Sequence, residues 1–470
     1  MKLNKIISFS ILSAGMLFAS CKKDFLNLNP YDQVPTDVAI TDEGGMQAAV
    51  NGIYSQLRNT NLYGRQLPLF GDILADNVFI STTNSNRYLA QFNYTYTNAN
   101  AEATATWIAA YAAILRANNV INATITTSPN VSQMKGEALT LRALMYWNLA
   151  VYYAKPYTVD PNAEGVPLVL TYDAFLRPAR SKVSEVYTQI TKDLSDAYGL
   201  LNASKNSSYV TKYVTRALQA RVALFMGDYA NAKTYALDVV TNGGYTLASA
   251  ANLVNYWKNP VPNSTKVETI FEVSADVVNN NGSNALAYFY DQAGYGDAIA
   301  ADDLYNTFSA TDARINLFLN GVRANQNVRI VNKFPNTTNS SEKDDTKVIR
   351  YSEVLLTLAE AYYRTNDETN AKLYLNMVAK QRDPSFAGYS STGAPLLEDI
   401  LLERRKELAF EGMRYPDLLR LNRDVVRVNI NNNYVGITPL SLAVTNFRRL
   451  QPIPQQELDA NPNISQNPGY

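Results

Sequence analysis

Two stretches of the chain are copies of one another, and this repetition restricts the fold more than any other feature. ALQARVALFMGDYANAKTYALDVV (217–240) lies on LTLAEAYYRTNDETNAKLYLNMVA (356–379) with a shift of 139 positions (359 − 220). Ala220 then matches Ala359, Ala232 matches Ala371, Lys233 matches Lys372 and Tyr235 matches Tyr374. In each copy two small residues stand twelve apart (232 − 220; 371 − 359) on consecutive helices, where close packing demands the absence of bulk. That is the tetratricopeptide pattern, and the second copy adds Leu355, Leu358, Tyr362 and Leu375 at suitable positions. Two copies are too few to cap a solenoid, so other helix pairs must be degenerate members of an array embedded in something larger.

Apolar spacing supplies such partners. Over 41–59, Met46, Val50, Ile53 and Leu57 recur every three to four residues, the mark of an amphipathic helix. Similar stretches follow at 103–125, 131–153, 181–201 and 212–241. An N-terminal part, 41–241, is therefore mostly helix, and 242–470 is a C-terminal part packed with it as one unit. Residues 242–345 change character: NGGYTL, KVETIFEVSADVV and NVRIVNKFP read as strands or extended segments between Asn-, Gly- and Ser-rich loops such as NNNGSN. The expected fold is mainly α, a tetratricopeptide-like helical-repeat scaffold with an irregular loop-rich region containing short strands. Long loops on a rigid scaffold are where function tends to sit.

Lys2 and Lys5 precede an apolar run from Ile6 to Ala19, the pattern of a signal peptide over 1–20. The run is shorter than the roughly 20 apolar residues of a membrane span. It ends at Cys21, the only cysteine. Small residues (Ala19, Ser20) before a Cys are the lipobox pattern, in which Cys21 becomes the lipidated N-terminus; an ordinary secretory signal with an incidental Cys is the competing reading. Two or three acyl chains anchor a protein stably where one is marginal. Residues 21–40 then read as a lipidated tether, extending at most about 55 Å.

Absences narrow the chemistry further. The chain has no His, which excludes Ser-His-Asp and Cys-His nucleophiles, His-ligated metals and a His general base. With Cys21 committed to lipid, disulfides and thiolate metal sites go too. No cofactor or metal site is expected, and a glycosidase carboxylate pair is the one common enzyme option left. Lys and Arg (42) balance Asp and Glu (42), so no basic field points to nucleic acid. What is abundant is Tyr, at 32 residues. Tyr offers a stacking face and a hydroxyl suited to neutral, hydroxyl-rich ligands such as sugars, although most Tyr in a helical protein fill half-buried positions.

A helix over 397–411 (LEDILLERRKELAFE) is expected to end at Gly412 as its cap. Glu403, Glu407 and Glu411 stand four apart, which invites a catalytic pair, but Arg404, Arg405 and Arg414 lie within the same turns, and helix-surface ion pairing explains the charges more simply. Asp302-Asp303 and Asp344-Asp345 are loop doublets suited to solvation or a weak Ca²⁺ site rather than acid/base work. Trp107, Trp147 and Trp257 read as packing residues.

Several segments together resemble one family: CKKDFLNLNP after the lipobox, ADN (75–77), WIAAYAAILRANNVI (107–121), RALMYWNLAVYYAKPY (142–157), VIRYSEVLLTLAEAYYR (348–364), ILLERRKELAFEGMRYPDLLR (400–420) and the terminal LQPIPQQELDANPNISQNPGY. They resemble the SusD/RagB family of outer-membrane nutrient-binding lipoproteins over essentially the whole mature chain. The resemblance implies a right-handed scaffold of about four helix pairs, a lipid anchor and a place on the outer membrane facing the cell exterior. It also implies a partner, a TonB-dependent SusC-like transporter, to which captured oligosaccharide or polysaccharide is handed for import. Lys22-Lys23-Asp24 then looks like the surface address of such lipoproteins, or a solvated tether. Glu407, Glu411, Arg414 and Asp417 are expected to hold the last helices together.

The family has no fixed ligand motif; its ligand residues tend to come from the loop after ADN and from the irregular region. In this chain the first source is Asp76 and Asn77 with the loop 81–100, where Arg87, Tyr88, Phe92, Tyr94, Tyr96 and Asn98 are candidates. Alternation would put Phe92, Tyr94 and Tyr96 on one side of an extended segment; a strand edge packed on the scaffold is the alternative. The second source is 285–297, with Tyr288, Tyr290 and Tyr295. The expected function is non-catalytic capture of a neutral glycan. The alternative is a helical-repeat protein that binds a peptide or another non-glycan nutrient in a groove of its helices.

Overall fold

The repeated segments fold as consecutive α-hairpins in a stack of nine long helices among the described residues. These are α1 (Glu43–Leu57), α2 (Ala101–Asn122), α3 (Pro129–Tyr153), α4 (Val183–Tyr198), α5 (Lys212–Met226), α6 (Tyr229–Asn242), α7 (Tyr351–Arg364), α8 (Glu368–Arg382) and α9 (Ala394–Glu407). The computed structural model describes residues 40–258, 266–428 and 440–470. The leader, Cys21 and the tether lie outside them.

Local chemistry sets the helix starts. Asp42, Asn100, Ser128, Asp228 and Asp367 each accept a hydrogen bond from a backbone N–H three residues on, satisfying a donor that the first turn leaves free. The apolar stretch 212–241 is broken at Gly227, whose φ of 74° turns α5 into α6. One repeat later, at 366 (227 + 139), Asn366 takes φ 62° and turns α7 into α8. The two copies therefore share a turn that only Gly, or less readily Asn, adopts at low cost.

Each long helix packs on the one before it, giving the pairs α1–α2, α3–α4, α5–α6 and α7–α8, with α9 against α7 and α8. α6 packs directly on α7 although 108 residues (243–350) separate them in sequence. Ala232 and Ala361 share a buried cluster with Ala223 and Leu224 at that junction. The two recognisable copies are thus neighbours in space, and the loop-rich region is an insertion between them.

Short strands fasten the insertion. They are β1 (Val78–Ile80), β2 (Thr269–Val273), β3 (Ala298–Ala300), β4 (Phe318–Arg323), β5 (Gln326–Val331) and β6 (Thr346–Arg350). β2 and β6 pair antiparallel and close its two ends together. A four-stranded sheet runs β1-β3-β5-β4, so a strand from the N-terminal half becomes the edge of the insertion's sheet. NGGYTL, expected as a strand or extended segment, forms no strand, and its Thr246 N–H donates to the Val267 carbonyl at 3.1 Å. One hydrophobic core runs from Met46 to Ile464 and includes Trp107 and Trp147; Trp257 is buried in a satellite cluster with Leu253, Tyr256 and Leu317.

The ionic groups of α9 are not on a surface. Glu403 is fully buried and Glu407 is 2 % exposed, because α9 is covered by α7, α8 and the insertion. Arg350 donates to Glu268, Glu407 (2.8 Å) and Glu411 (2.6 Å); Arg382 donates to Glu268 (2.6 Å) and Glu407 (2.8 Å); and Arg314 pairs with Glu403 (2.6 Å) and Glu407 (3.1 Å). A second buried set joins Asp417 to Arg404 (3.1 Å) and Arg420 (2.7 Å), with Arg420 also on Glu360 (2.7 Å). α9 ends at Glu407, four residues before the expected end, and Gly412 does not cap it. Gly412 instead takes φ 80° at a backbone crossing, where its own Cβ would stand 2.6 Å from the Pro68 Cα and a Cβ on Gly71 would stand 1.9 Å from the Gly412 carbonyl oxygen.

Candidate functional site

The ADN segment just before β1 is structural. Arg414 donates from Nε and Nη2 to the two Asp76 oxygens, each at 2.7 Å, and Arg405 Nε donates to Asn77 Oδ1 at 2.8 Å. Burial alone would raise the Asp76 carboxyl, but Arg414 and Arg405 outweigh it and bring it down to about 2. Asp76 is 4 % exposed and Asn77 fully buried, and both latch the N-terminal half to the last helices.

The aromatic run of the first loop is also core, and it is neither extended nor a strand edge. Tyr88 takes φ 59°, a one-turn helix spans Leu89–Phe92, and Tyr94 turns the chain again at φ 51°. Phe92, Tyr94 and Tyr96 are buried. Tyr94 donates to the Leu74 carbonyl (2.6 Å), Tyr96 to the Arg448 carbonyl, and the Arg427 guanidinium covers Phe92 at 4.3 Å. Asn98 is tied to Gln455. Tyr88 is buried too, its hydroxyl accepting from Arg65 Nε (2.8 Å) and donating to Gln66 (3.2 Å). In the second loop Tyr290 is buried and donates to Asp72 at 3.2 Å. A tyrosine whose hydroxyl finds an acceptor can be buried whole, and this chain does so repeatedly.

Four of the eleven ligand candidates are half-buried rather than buried, Arg87, Asn98, Tyr288 and Tyr295; with Asn98 tied to Gln455, Arg87, Tyr288 and Tyr295 are left. Strand register brings them together. Ile80 at the end of β1 pairs with Ala298 at the start of β3, so the first loop leaves where the second arrives. Ser81 N–H donates to the Asp297 carbonyl (3.0 Å), and the Ser85 N–H and hydroxyl donate to the Asp297 carboxylate. The β4–β5 hairpin turns through Ala324 (φ 50°) and Asn325 (φ 61°). Its Arg323 donates to the carbonyls of Thr83 (2.9 Å) and Tyr295 (2.6 Å), buckling the two loops to each other.

On the outside of this junction the Arg87 guanidinium lies over the Tyr295 ring, 4.0 Å from its centroid, and the rings of Tyr288 and Tyr295 are 6.0 Å apart. Arg65 completes the cluster: its guanidinium sits 5.2 Å from the Phe289 centroid and 5.4 Å from that of Tyr88, and it donates to the Asn284 carbonyl at 3.3 Å. Hydrogen bonds from Arg87 and Ser283, with the Arg65 charge adding, hold the Tyr295 phenol below its ordinary value. Sequence reasoning missed Arg65. The available signal was its position at the N-cap of the short helix Gln66–Ile73, where a cation opposes the helix dipole and has no local reason to be.

Behind Tyr288 is a cavity of about 100 Å³ lined by Arg58, Phe334, Asn336, Lys343 and Asp344. Burial lifts the Asp344 carboxyl to about 6 although Asn336 donates to it from backbone and side chain, both at 2.9 Å. The other doublet members are engaged rather than solvated: Asp303 by Arg405 (2.8 Å), and Asp345 by Lys266 and the Ala275 N–H. Among the described residues no group of three or more Asp, Glu, Cys or His could hold a metal ion, and no helix is long and apolar enough to cross a membrane.

Comparison with known proteins gives consistent matches along the chain. Residues 300–470 match the SusD family, and residues 24–226 match a family described as starch-binding and associating with the outer membrane. A SusD-like protein, P2, of Formosa agariphila is 26 % identical, covering 95 % of this chain and 96 % of its own. Among solved structures, a putative sugar-binding protein of Bacteroides vulgatus superposes with a TM-score of 0.85 at 27 % identity, covering 92 % of this chain and all of its own. A SusD superfamily protein of Bacteroides thetaiotaomicron gives 0.83 at 29 % identity over 91 % of this chain and all of its own.

Proposed function

The chain belongs to the SusD/RagB family, and from that premise we propose that it is a cell-surface lipoprotein that captures oligosaccharides and delivers them to a partner TonB-dependent, SusC-like transporter. The observation that carries the reading is the surface cluster of Tyr288, Tyr295, Arg87 and Arg65, assembled from three separate segments on a helical scaffold. Tyrosine faces stack on the apolar faces of sugar rings, and guanidinium groups donate to ring substituents. The description of the family matching residues 24–226 supports starch-like ligands and association with the outer membrane. Lipidation at Cys21 would hold the body at that membrane, facing the cell exterior.

Binding rather than hydrolysis suits the carboxylates. Glu403 and Glu407, the pair that would do glycosidase work, are sealed beneath the surface and engaged by guanidinium groups. Native gel electrophoresis through embedded polysaccharides tests the reading. Retention on at least one glycan, lowered about tenfold or more by Tyr288→Ala with Tyr295→Ala, is expected; no retention across a broad panel overturns it. Co-purification with an outer-membrane barrel, and loss of membrane attachment in Cys21→Ala, test delivery and anchoring.

A second reading has an observation of its own. An open groove of about 930 Å³ runs along α8 past Tyr245, Tyr351, Leu373, Met377 and Lys380. Leu373 and Met377 are 53 % and 40 % exposed there. A peptide ligand fits such a helix-lined groove, and peptide binding lost in Met377→Asp, with no glycan retained, would favour it.

A further inference from the structure

We propose that the ligand taken by the Arg65–Arg87–Tyr295 cluster is an acidic glycan, one whose sugars carry carboxylate or sulfate groups. The inference rests on the glycan-capture reading and names its substrate chemistry, replacing the neutral sugar expected from composition.

The observation behind it is a pair of half-buried arginines beside tyrosine rings with no carboxylate paired to either among the described residues. The chain as a whole is neutral, with 42 basic and 42 acidic residues, so a local excess is not a by-product of a basic protein. Many arginines of the body pair with carboxylates, as Arg142 does with Asp193, Arg221 with Glu353 and Arg414 with Asp76, and buried ones that do not, such as Arg427 and Arg449, are answered from several sides by backbone carbonyls. Arg65 and Arg87 form no ion pair among the described residues, their partners being phenol rings, a phenol oxygen and the carbonyl and amide of Asn284. One terminal nitrogen of Arg87 is enclosed with no hydrogen-bond partner at all.

The carboxylates nearest in the chain, Asp72 and Asp76, are buried and held by Tyr290, the Phe410 N–H and Arg414, and those of the flanking segments have partners of their own. Asp297 is buried and held by Ser85 and Arg323. Asp291 accepts from the Ala293 N–H (2.9 Å), Asp276 from the N–H groups of Val278 and Asn279 (2.7 and 2.6 Å), and Glu102 from Asn100 (2.8 Å). Two half-buried cations therefore stand beside tyrosine rings with no carboxylate paired to them among the described residues.

A neutral glycan closing over them would displace their water and return only neutral acceptors, which is costly for an ion. A uronate or a sulfate ester returns the missing charge. The planar guanidinium fork matches the paired oxygens of a carboxylate or sulfate, and stacking on Tyr295 fixes the plane of Arg87 before binding. The ring faces of Tyr288 and Tyr295 then take the apolar side of the same or the next sugar. Capture of this kind weakens with salt, because the contacts lie within reach of solvent screening.

The test uses the full chain in native gels containing polygalacturonate, the same polymer fully methyl-esterified, a sulfated galactan, or neutral starch and xyloglucan. Esterification removes the charge and keeps the sugar backbone, so this arm needs no altered protein. The expected result is retention on polygalacturonate or the sulfated galactan, at least tenfold weaker on the ester and in 0.5 M salt (an assay condition of about five times the 0.1 M at which screening lengths fall to about 10 Å). Which of the two polymers retains the protein tells carboxylate from sulfate. Arg65→Gln and Arg87→Gln are expected to weaken that retention about tenfold or more while the thermal midpoint stays unchanged. Equal retention on neutral and acidic polymers, indifferent to both substitutions, overturns the inference and leaves glycan capture standing. Retention on no polymer overturns glycan capture and this inference together. Competition by polyglutamate as effective as by polygalacturonate also overturns it, since charge alone would then suffice.

Discussion

Arg350 and Arg87 are the same side chain under opposite conditions. Arg350 is 2 % exposed and donates to Glu268, Glu407 and Glu411, tying the entry to β2, the end of α9 and the start of α7 at one point. Arg87 is half-buried, rests on a phenol ring and meets no carboxylate. The first is fully answered from within the chain and can do nothing but hold it; the second is answered only in part and is available to something outside. The number of internal partners, rather than residue type or burial alone, separates framework from binding surface in this molecule.

Removing an answer from the framework should have the largest effect. Glu407→Ala leaves Arg350, Arg382 and Arg314 each short of a carboxylate in a buried site, and breaking such a network costs about 3–5 kcal/mol. Urea denaturation reads this directly, and a loss under about 1 kcal/mol would mean that the network carries little of the fold's stability.

The same contrast exists among carboxylates and predicts opposite responses to pH. Asp76 is answered by two guanidinium groups and sits at about 2; Asp72 has no ion pair among the described residues, and burial raises it to about 7. For Asp76, a depressed carboxyl, the stability it contributes is present above its unfolded value near 4 and is lost as pH falls towards 2. For Asp72, a raised carboxyl, the contribution is present below pH 4 and is lost as pH rises through about 7. Asp72→Asn should therefore gain on the native chain between pH 4 and 8, by a few kcal/mol at most. A difference between the two that stays constant with pH would show that Asp72 ionises without penalty.

At the surface the effect on stability should nearly vanish. Arg65→Gln and Arg87→Gln are expected to shift unfolding by no more than about 0.5 kcal/mol while they alter ligand retention. A destabilisation of 2 kcal/mol or more would place these arginines with Arg350 and blur the comparison.

The repeat offers the mildest test. Gly227→Asn copies the turn that Asn366 already makes one repeat later, and a Cβ there meets nothing closer than 3.5 Å, so a cost within about 1 kcal/mol is expected. Gly227→Val should cost clearly more, because a β-branched residue resists positive φ. Equal costs in thermal unfolding would show that the turn tolerates any side chain.

Local features of the fold were legible in the sequence. The repeat, the helices and their small-residue junctions follow from spacing within a few turns, and Ala220, Ala232, Ala359 and Ala371 are buried as the pattern requires. The family, too, was recognisable from its segments. What was not legible depends on partners far along the chain. Tyr94 and Tyr96 looked available because their acceptors are carbonyls of Leu74 and Arg448, which nothing near them announces. The alternation of Phe92, Tyr94 and Tyr96 misled because the left-handed turns at Tyr88 and Tyr94 carry no Gly or Asn to mark them. Glu403, Glu407 and Glu411 looked like surface charges because Arg350 and Arg382 come from other elements. Arg87 and Tyr295 were named separately, but their contact needed the β1–β3 register, and Arg65 needed the fold itself.

That register also sets an order on the life of the chain. β1 is made some 218 residues before its partner β3 (298 − 80), and Asp76 waits 338 residues for Arg414. During synthesis the first helices can stack as they emerge, since their contacts are local, whereas pairings of such long range come late. The proposed ligand face, hung on the far end of that strand pair, is therefore among the last surfaces to exist. A nascent or truncated chain carries the aromatic loops without the geometry that brings Arg87 and Tyr295 together, so the proposed capture would begin only when the polypeptide is finished.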